Sequence, residues 1–157
     1  MKVLILYYTK TGHTLEAVNA VAEGIKKAGS GVEIVNVKDF IADKVSDFDA
    51  IIVGSPCWAG SISKKAGIAR PVKKALNELR ADALNGKKCG GISVSASGTG
   101  GEVTLNNIKA IVMDKGGKEY MPGPVARAGS PISLWKGPSV SAKDLELYKA
   151  YGAEFVK

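Results

Sequence analysis

The sequence predicts an α/β fold in which a parallel sheet is covered by helices on both faces. Two observations carry this. Short, continuous apolar runs such as Val3–Tyr8 and Ala50–Val53 have the character of strands buried on both sides. Between them lie segments whose apolar residues recur at helical spacing. Strands that alternate with helices require crossover connections, hence a parallel sheet with two helical layers.

The elements follow in order. After Val3–Tyr8 comes a polar turn, Thr9-Lys10-Thr11-Gly12-His13-Thr14, and then Val18, Val21, Ala22 and Ile25 form the stripe of an amphipathic helix that Gly29 and Gly31 stop. Val32–Val37 alternates as a strand, a short irregular helix is expected near Asp39–Lys44, and Ala50–Val53 is the third strand. Pro71 suits a helix first turn, and Val72, Ala75, Leu76 and Leu79 repeat the stripe. Cys89–Val94 reads as a glycine-weakened fourth strand, Leu105, Ile108 and Val112 line a helix that ends at Gly116-Gly117, and Glu119–Met121 begins a short fifth strand. Pro122–Pro138 reads as a long ordered loop, and Ser141-Ala142-Lys143-Asp144 opens a last helix bearing Leu145, Tyr148 and Phe155. The whole chain, 1–157, is expected to form a single domain, for its 157 residues can enclose one core.

Lys and Arg number 22 against 15 Asp and Glu, a formal net charge of +7. The lysines occur in short scattered pairs, without an arginine-rich run or zinc-finger spacing, so nucleic acid is not expected as a partner. No apolar stretch approaches membrane-spanning length, and the opening apolar run is too short for a signal peptide. Two cysteines, Cys57 and Cys89, are too far apart for a CxxC motif. A cytoplasmic location and no metal site are expected.

In open parallel sheets ligands bind beyond the carboxyl ends of the strands, so the loops after the first, third and fourth strands carry the chemistry. The first offers Thr9, Thr11 and Thr14 around Gly12, directly before a helix. Helix amino termini present unpaired N–H groups and partial positive charge, which suit a phosphate; read alone, the same residues also suit a plain N-cap at Thr11. Neither GxxxxGK[ST] nor GxGxxG is present.

Thr9-Lys10-Thr11-Gly12-His13-Thr14 resembles the [ST]-x-T-G-x-T phosphate loop of the flavodoxins. The resemblance extends in element order over nearly the whole chain. It implies a flavodoxin-like three-layer sandwich with a five-stranded parallel sheet of order 2-1-3-4-5, and noncovalent FMN as cofactor. The second loop, Gly54–Ser61, resembles the one in which an aromatic side chain packs on the flavin ring. Trp58 falls there, flanked by Pro56 and Cys57 and followed by the Ala59-Gly60 peptide, whose carbonyl in that family can turn toward flavin N5. Some members have glycine then aspartate at that peptide, and core filling is the alternative role for Trp58.

The third loop, Ser95-Ala96-Ser97-Gly98-Thr99-Gly100-Gly101, has glycine at position 100 where flavodoxins often have a covering tyrosine. It is more similar to the NAD(P)H:quinone oxidoreductases of the same fold, as is the Gly-His-Thr of the first loop. The resemblance therefore implies a nucleotide-binding flavoprotein in electron transport. A flavodoxin-type carrier is expected, with an FMN-dependent NAD(P)H:quinone oxidoreductase as the alternative. Its partners would be acidic, ferredoxin-like redox proteins, or NAD(P)H and quinone, and it would be a monomer or homodimer.

His13 is expected as a partly exposed loop residue rather than an acid–base catalyst, Lys10 as a screen for the phosphate, and Cys89 as a buried strand residue. Trp135 either anchors the loop before the last helix or supplies the outer aromatic. Receiver domains share the strand order but need acidic residues where this chain has Tyr7-Tyr8 and Gly54-Ser55.

Overall fold

The computed structural model describes residues 1–58, 67–96, 100–128 and 139–157. Strands β1 (Lys2–Tyr7), β2 (Gly31–Asn36), β3 (Ala50–Trp58), β5 (Lys88–Ser95) and β6 (Glu119–Arg127) form a parallel sheet in the order β2-β1-β3-β5-β6. A two-residue strand, β4 (Gly67–Ile68), pairs antiparallel with the end of β3. With β4 set aside, this is the anticipated 2-1-3-4-5 order; β4 is too short to leave a periodic signal.

Why the strands read as unbroken apolar runs is clear from their two faces. Val3, Ile5, Ala50 and Ile52 point to a core shared with helices α1 (His13–Lys27) and α4 (Ala142–Phe155). Leu4, Leu6, Ile51 and Val53 point to the opposite core, with Val72 and Leu76 of α2 (Arg70–Asn77) and Ile108 and Val112 of α3 (Gly100–Asp114). Val45 and Phe48, in and just after a 3₁₀ segment at Ala42–Asp47, close that second core. The 3₁₀ segment lies three residues later than the Asp39–Lys44 expectation.

Glycine sets the closest approaches. A Cβ on Gly24 would overlap the Lys149 carbonyl oxygen, and one on Gly152 the Val21 carbonyl oxygen, so α1 and α4 cross backbone to backbone. In β5 a Cβ on Gly90 would meet the Tyr151 hydroxyl, and one on Gly91 the Tyr120 hydroxyl. The glycines that weaken the strand signal are there to admit tyrosines from both faces.

Four boundaries differ from the sequence reading. β3 runs on through Pro56, Cys57 and Trp58, and β5 through Ser95, because Ser55 and Pro56 pair with Ser93 and Val94. Gly100 and Gly101 are the first residues of α3, not loop. β6 continues to Arg127, through a stretch expected to be loop. Pro122 and Pro124 are tolerated because β6 is the edge strand and its register shifts between Gly91 and Ser93, where a ladder N–H is not required. Ser141 caps α4 as expected, its Oγ accepting from the Asp144 N–H at 3.1 Å. Among the described residues no helix is long and apolar enough to cross a membrane.

Candidate functional site

The carboxyl ends of β1, β3 and β5 lie side by side. Tyr7 is in register with Gly54, and Gly54 with Ile92, so the segments that follow all emerge at one end of the sheet.

β1 leads into the turn of residues 9–12. The Gly12 N–H donates to Thr9 Oγ1 at 2.9 Å, which closes the turn. Gly12 is the N-cap of α1 with φ +98°, a left-handed conformation that disfavours any side chain. The N-cap is thus Gly12 and not Thr11, because the turn needs positive φ there. No side chain caps α1. Its first amide bond within the helix runs from the Glu16 N–H to the Gly12 carbonyl at 3.1 Å, so the amides of His13, Thr14 and Leu15 precede the hydrogen-bonded ladder. Their donors and the helix dipole face outward at this end, which fits a phosphate group.

His13 and Thr14 are buried. His13 is therefore not the partly exposed loop residue expected, since it forms the first helical residue and turns inward. Its Nδ1 lies 3.4 Å from Glu16 Oε2. The same carboxylate oxygen accepts from the Val140 N–H at 3.0 Å. Burial alone would raise the Glu16 carboxyl, but the Val140 N–H, His13 and Ser139 outweigh it and hold it below the usual carboxylate range. The first turn of α1 is thereby tied to the segment that enters α4. Glu16 was not singled out from sequence; its spacing of three from His13 was the available signal.

At the end of β3, Trp58 packs edge-on to Tyr8, with ring centroids 5.6 Å apart and planes at 79°. Lys38 Nζ stands 6.0 Å from the Tyr8 ring. Both aromatics are half-buried against the α2/α3 core. Cys57 and Trp58 pair with Ile68 and Gly67 of β4. Asn107 of α3 clamps that short strand, its Oδ1 accepting from the Ile68 N–H at 3.2 Å. Tyr8 and Asn107 were likewise not read as site residues, because neither stands in a loop motif.

Gly100 is buried against Cys57, and a Cβ there would overlap Cys57 Sγ. A side chain at position 100, such as the family's covering tyrosine, would require the Cys57 thiol to move aside. Both thiols are free. Cys89 is buried as expected, and burial pushes it up to about 11 against a small opposing effect of Lys87.

The structure thus brings together Thr9, Lys10, Thr11, Gly12, His13 and Thr14 after β1, Pro56, Cys57 and Trp58 at the end of β3, and Ser95, Ala96, Gly100 and Gly101 around the end of β5. Ala59, Gly60, Ser97, Gly98, Thr99 and Trp135 lie outside the described residues. Among the described residues no group of three or more His, Cys, Asp or Glu could hold a metal ion.

Comparison with known proteins agrees with this geometry. Residues 4–119 match the family model described as "Flavodoxin domain". A Bradyrhizobium protein named NAD(P)H dehydrogenase (quinone) is 33% identical over 123 residues, which cover 66% of this chain and 61% of that one. A Caulobacter vibrioides protein of the same name is 30% identical over the same length. The chain thus spans about three-fifths of the curated relatives it matches. Among solved structures, a flavodoxin from the domain Archaea superimposes with a TM-score of 0.78 at 20% identity, covering 99% of this chain and 96% of that one. A WrbA-like flavodoxin from Agrobacterium tumefaciens gives 0.72 at 23% identity, covering 98% and 94%. With an uncapped helix end beside a tryptophan-bearing strand end on this sheet, and with the family model matched over most of its length, the chain belongs to the flavodoxin family, whose cofactor is FMN.

Proposed function

We propose that this chain holds FMN across the carboxyl ends of β1, β3 and β5 and works as a flavodoxin-type electron carrier in the cytoplasm. The observation that carries the reading is the amino end of α1, where a left-handed glycine is the N-cap and supplies no side-chain cap. Thr9 braces the turn by accepting from Gly12. Thr11, Thr14 and the amides of residues 12–14 would bind the phosphate, with Lys10 screening it and His13 held from behind by Glu16.

Trp58, steadied edge-on by Tyr8, offers a flat apolar face to a flat ring. Pro56, Cys57, Ala59 and Gly60 on one side, and Ser95, Ala96, Ser97, Gly98, Thr99, Gly100 and Gly101 on the other, would line the ring. When bound, the flavin supplies the redox chemistry; the protein's part is to hold it, exclude water from one face and set its potential.

A second reading has a specific observation in its favour. Gly100, packed on Cys57, has no side chain to cover the ring, and an uncovered ring would admit nicotinamide or quinone. The names of the sequence relatives point the same way. On this reading the protein takes hydride from NAD(P)H and reduces a quinone.

One experiment tests both. Protein reconstituted with FMN is mixed anaerobically with NADPH, with and without benzoquinone, and separately with a reduced ferredoxin. Fast reduction by ferredoxin with slow reduction by NADPH supports the carrier. Fast bleaching by NADPH with quinone turnover supports the oxidoreductase. Protein that stays colourless after reconstitution overturns both.

A further inference from the structure

We infer that the exposed face of α2 is the surface on which an acidic redox protein docks; this rests on the electron-transfer reading above and locates the partner's side of it. α2 buries Val72, Ala75 and Leu76. Its other face presents Arg70, Lys73, Lys74 and Asn77, all exposed and spaced i, i+3, i+4 and i+7. With Glu78 these residues line a shallow depression of about 500 Å³.

Two electrostatic features of this helix run against its own stability. Like charges at i, i+3 and i, i+4 repel. The first turn holds no acidic residue and instead carries Arg70, where the helix dipole favours negative charge. Among the described residues neither Arg70, Lys73 nor Lys74 makes an ion pair, whereas Lys149 pairs with Glu23 at 2.8 Å and Lys157 with Glu154 at 2.6 Å. Nearby lysines are already engaged: Lys115 Nζ donates to the Leu79 carbonyl at 2.5 Å, and Lys87 Nζ to that of Phe48. A negatively charged surface laid along α2 would relieve both the repulsion and the dipole mismatch. The three cations lie on one face within little more than a helical turn, with the neutral Asn77 one turn further on, a basic patch that matches a cluster of carboxylates on a protein surface.

The position of α2 makes this face useful. Ala69, its N-cap, donates its N–H to Ser55 Oγ of β3 at 3.0 Å. Ile68 pairs with Cys57 beside Trp58. The amino end of α2, where Arg70 stands, therefore begins beside the strand end that carries Trp58.

The test is binding, independent of flavin. A fluorescently labelled acidic [2Fe–2S] ferredoxin is titrated with this protein at roughly 20 and 200 mM salt, where screening lengths differ severalfold. Lys73→Gln/Lys74→Gln and Lys26→Gln/Lys27→Gln remove the same charge from two different helices, and circular dichroism checks that each is folded. The expected result is salt-sensitive binding that weakens on the order of 10-fold in the α2 variant and less than about 2-fold in the α1 variant. Equal weakening in both, or no binding by the parent protein at low salt, overturns the proposal. Flavin uptake, scored separately by absorbance, reports on the FMN reading alone, so the two can fail independently.

Discussion

The two faces of the sheet are built on different terms. On one, α1 and α4 are 15 and 14 residues long and meet at Gly24 and Gly152 with no side chain between their backbones. On the other, a 15-residue α3 is joined by an α2 of 8 residues, a two-residue β4 and a 3₁₀ segment. The α1/α4 face also holds the hydroxyl of Tyr148, which joins β5 to β6. The α2/α3 face holds Ser93 Oγ, a buried hydroxyl without a partner among the described residues, together with the half-buried Tyr8–Trp58 pair. One face joins two long helices backbone to backbone, and the other is assembled partly from short pieces and carries the Tyr8–Trp58 pair of the candidate site.

The largest expected effect probes that division directly. Gly24→Ala or Gly152→Ala places a Cβ on a backbone carbonyl oxygen that cannot rotate away. Each is expected to destabilise by about 3 kcal/mol and to lower Tm by roughly 10 °C, measured by thermal unfolding. Lys73→Gln, exposed on the opposite face, should stay within about 0.5 kcal/mol of the parent. If the glycine variants were equally harmless, the two helices would not be in the contact described.

A smaller contrast is expected between two tyrosines. Tyr148 Oη accepts from the Ala126 N–H at 2.9 Å and donates to the Ser93 carbonyl at 2.6 Å. Burial first, and Asp144 second, hold its phenol well above the usual range against the opposing Ala126 hydrogen bond, so the hydroxyl keeps its proton. Tyr148→Phe strands two buried backbone groups and should cost about 2–3 kcal/mol. Tyr120 donates to one carbonyl, that of Leu105 at 3.1 Å, and Tyr120→Phe should cost about 1 kcal/mol. Denaturant midpoints at constant slope would separate them.

The site face should respond in ligand binding instead. Trp58→Ala is expected to raise the Kd for FMN by on the order of 10-fold, the loss of one aromatic stack with its buried area. Tyr8→Phe keeps the edge-on ring and should leave it within about 2-fold, followed by flavin fluorescence.

Much of this division was legible in the sequence. Continuous runs such as Val3–Leu6 announced strands with two buried faces, and the stripe of α1 announced a helix against one of them. What was not legible depended on tertiary pairing. Pro56–Trp58 look like loop because proline and tryptophan carry no strand periodicity, yet pairing with β5 and β4 extends β3 through them. Pro122–Arg127 look like loop for the same reason, and only an edge position with a shifted register lets them join the sheet. The turn at Thr9–Gly12 before α1 was readable because its residues act locally. The Glu16–Val140 bond, spanning 124 residues, was not.

That bond gives the smallest expected effect and the one most specific to the site. The Glu16 carboxyl is held below its ordinary value by the Val140 N–H, His13 and Ser139 in spite of burial. A carboxyl lowered in the folded state binds its proton more weakly there than in the unfolded chain. Its contribution is therefore present above the ordinary carboxylate value and is lost as pH falls through the lower folded value. Glu16→Gln should lose part of the stability margin at pH 7 and show a flatter decline on acidification than the parent. Chemical denaturation at about pH 7, 5 and 3.5 would display the two curves converging at the acid end. Parallel curves across that range would mean that Glu16 is not what ties the start of α1 to the segment entering α4.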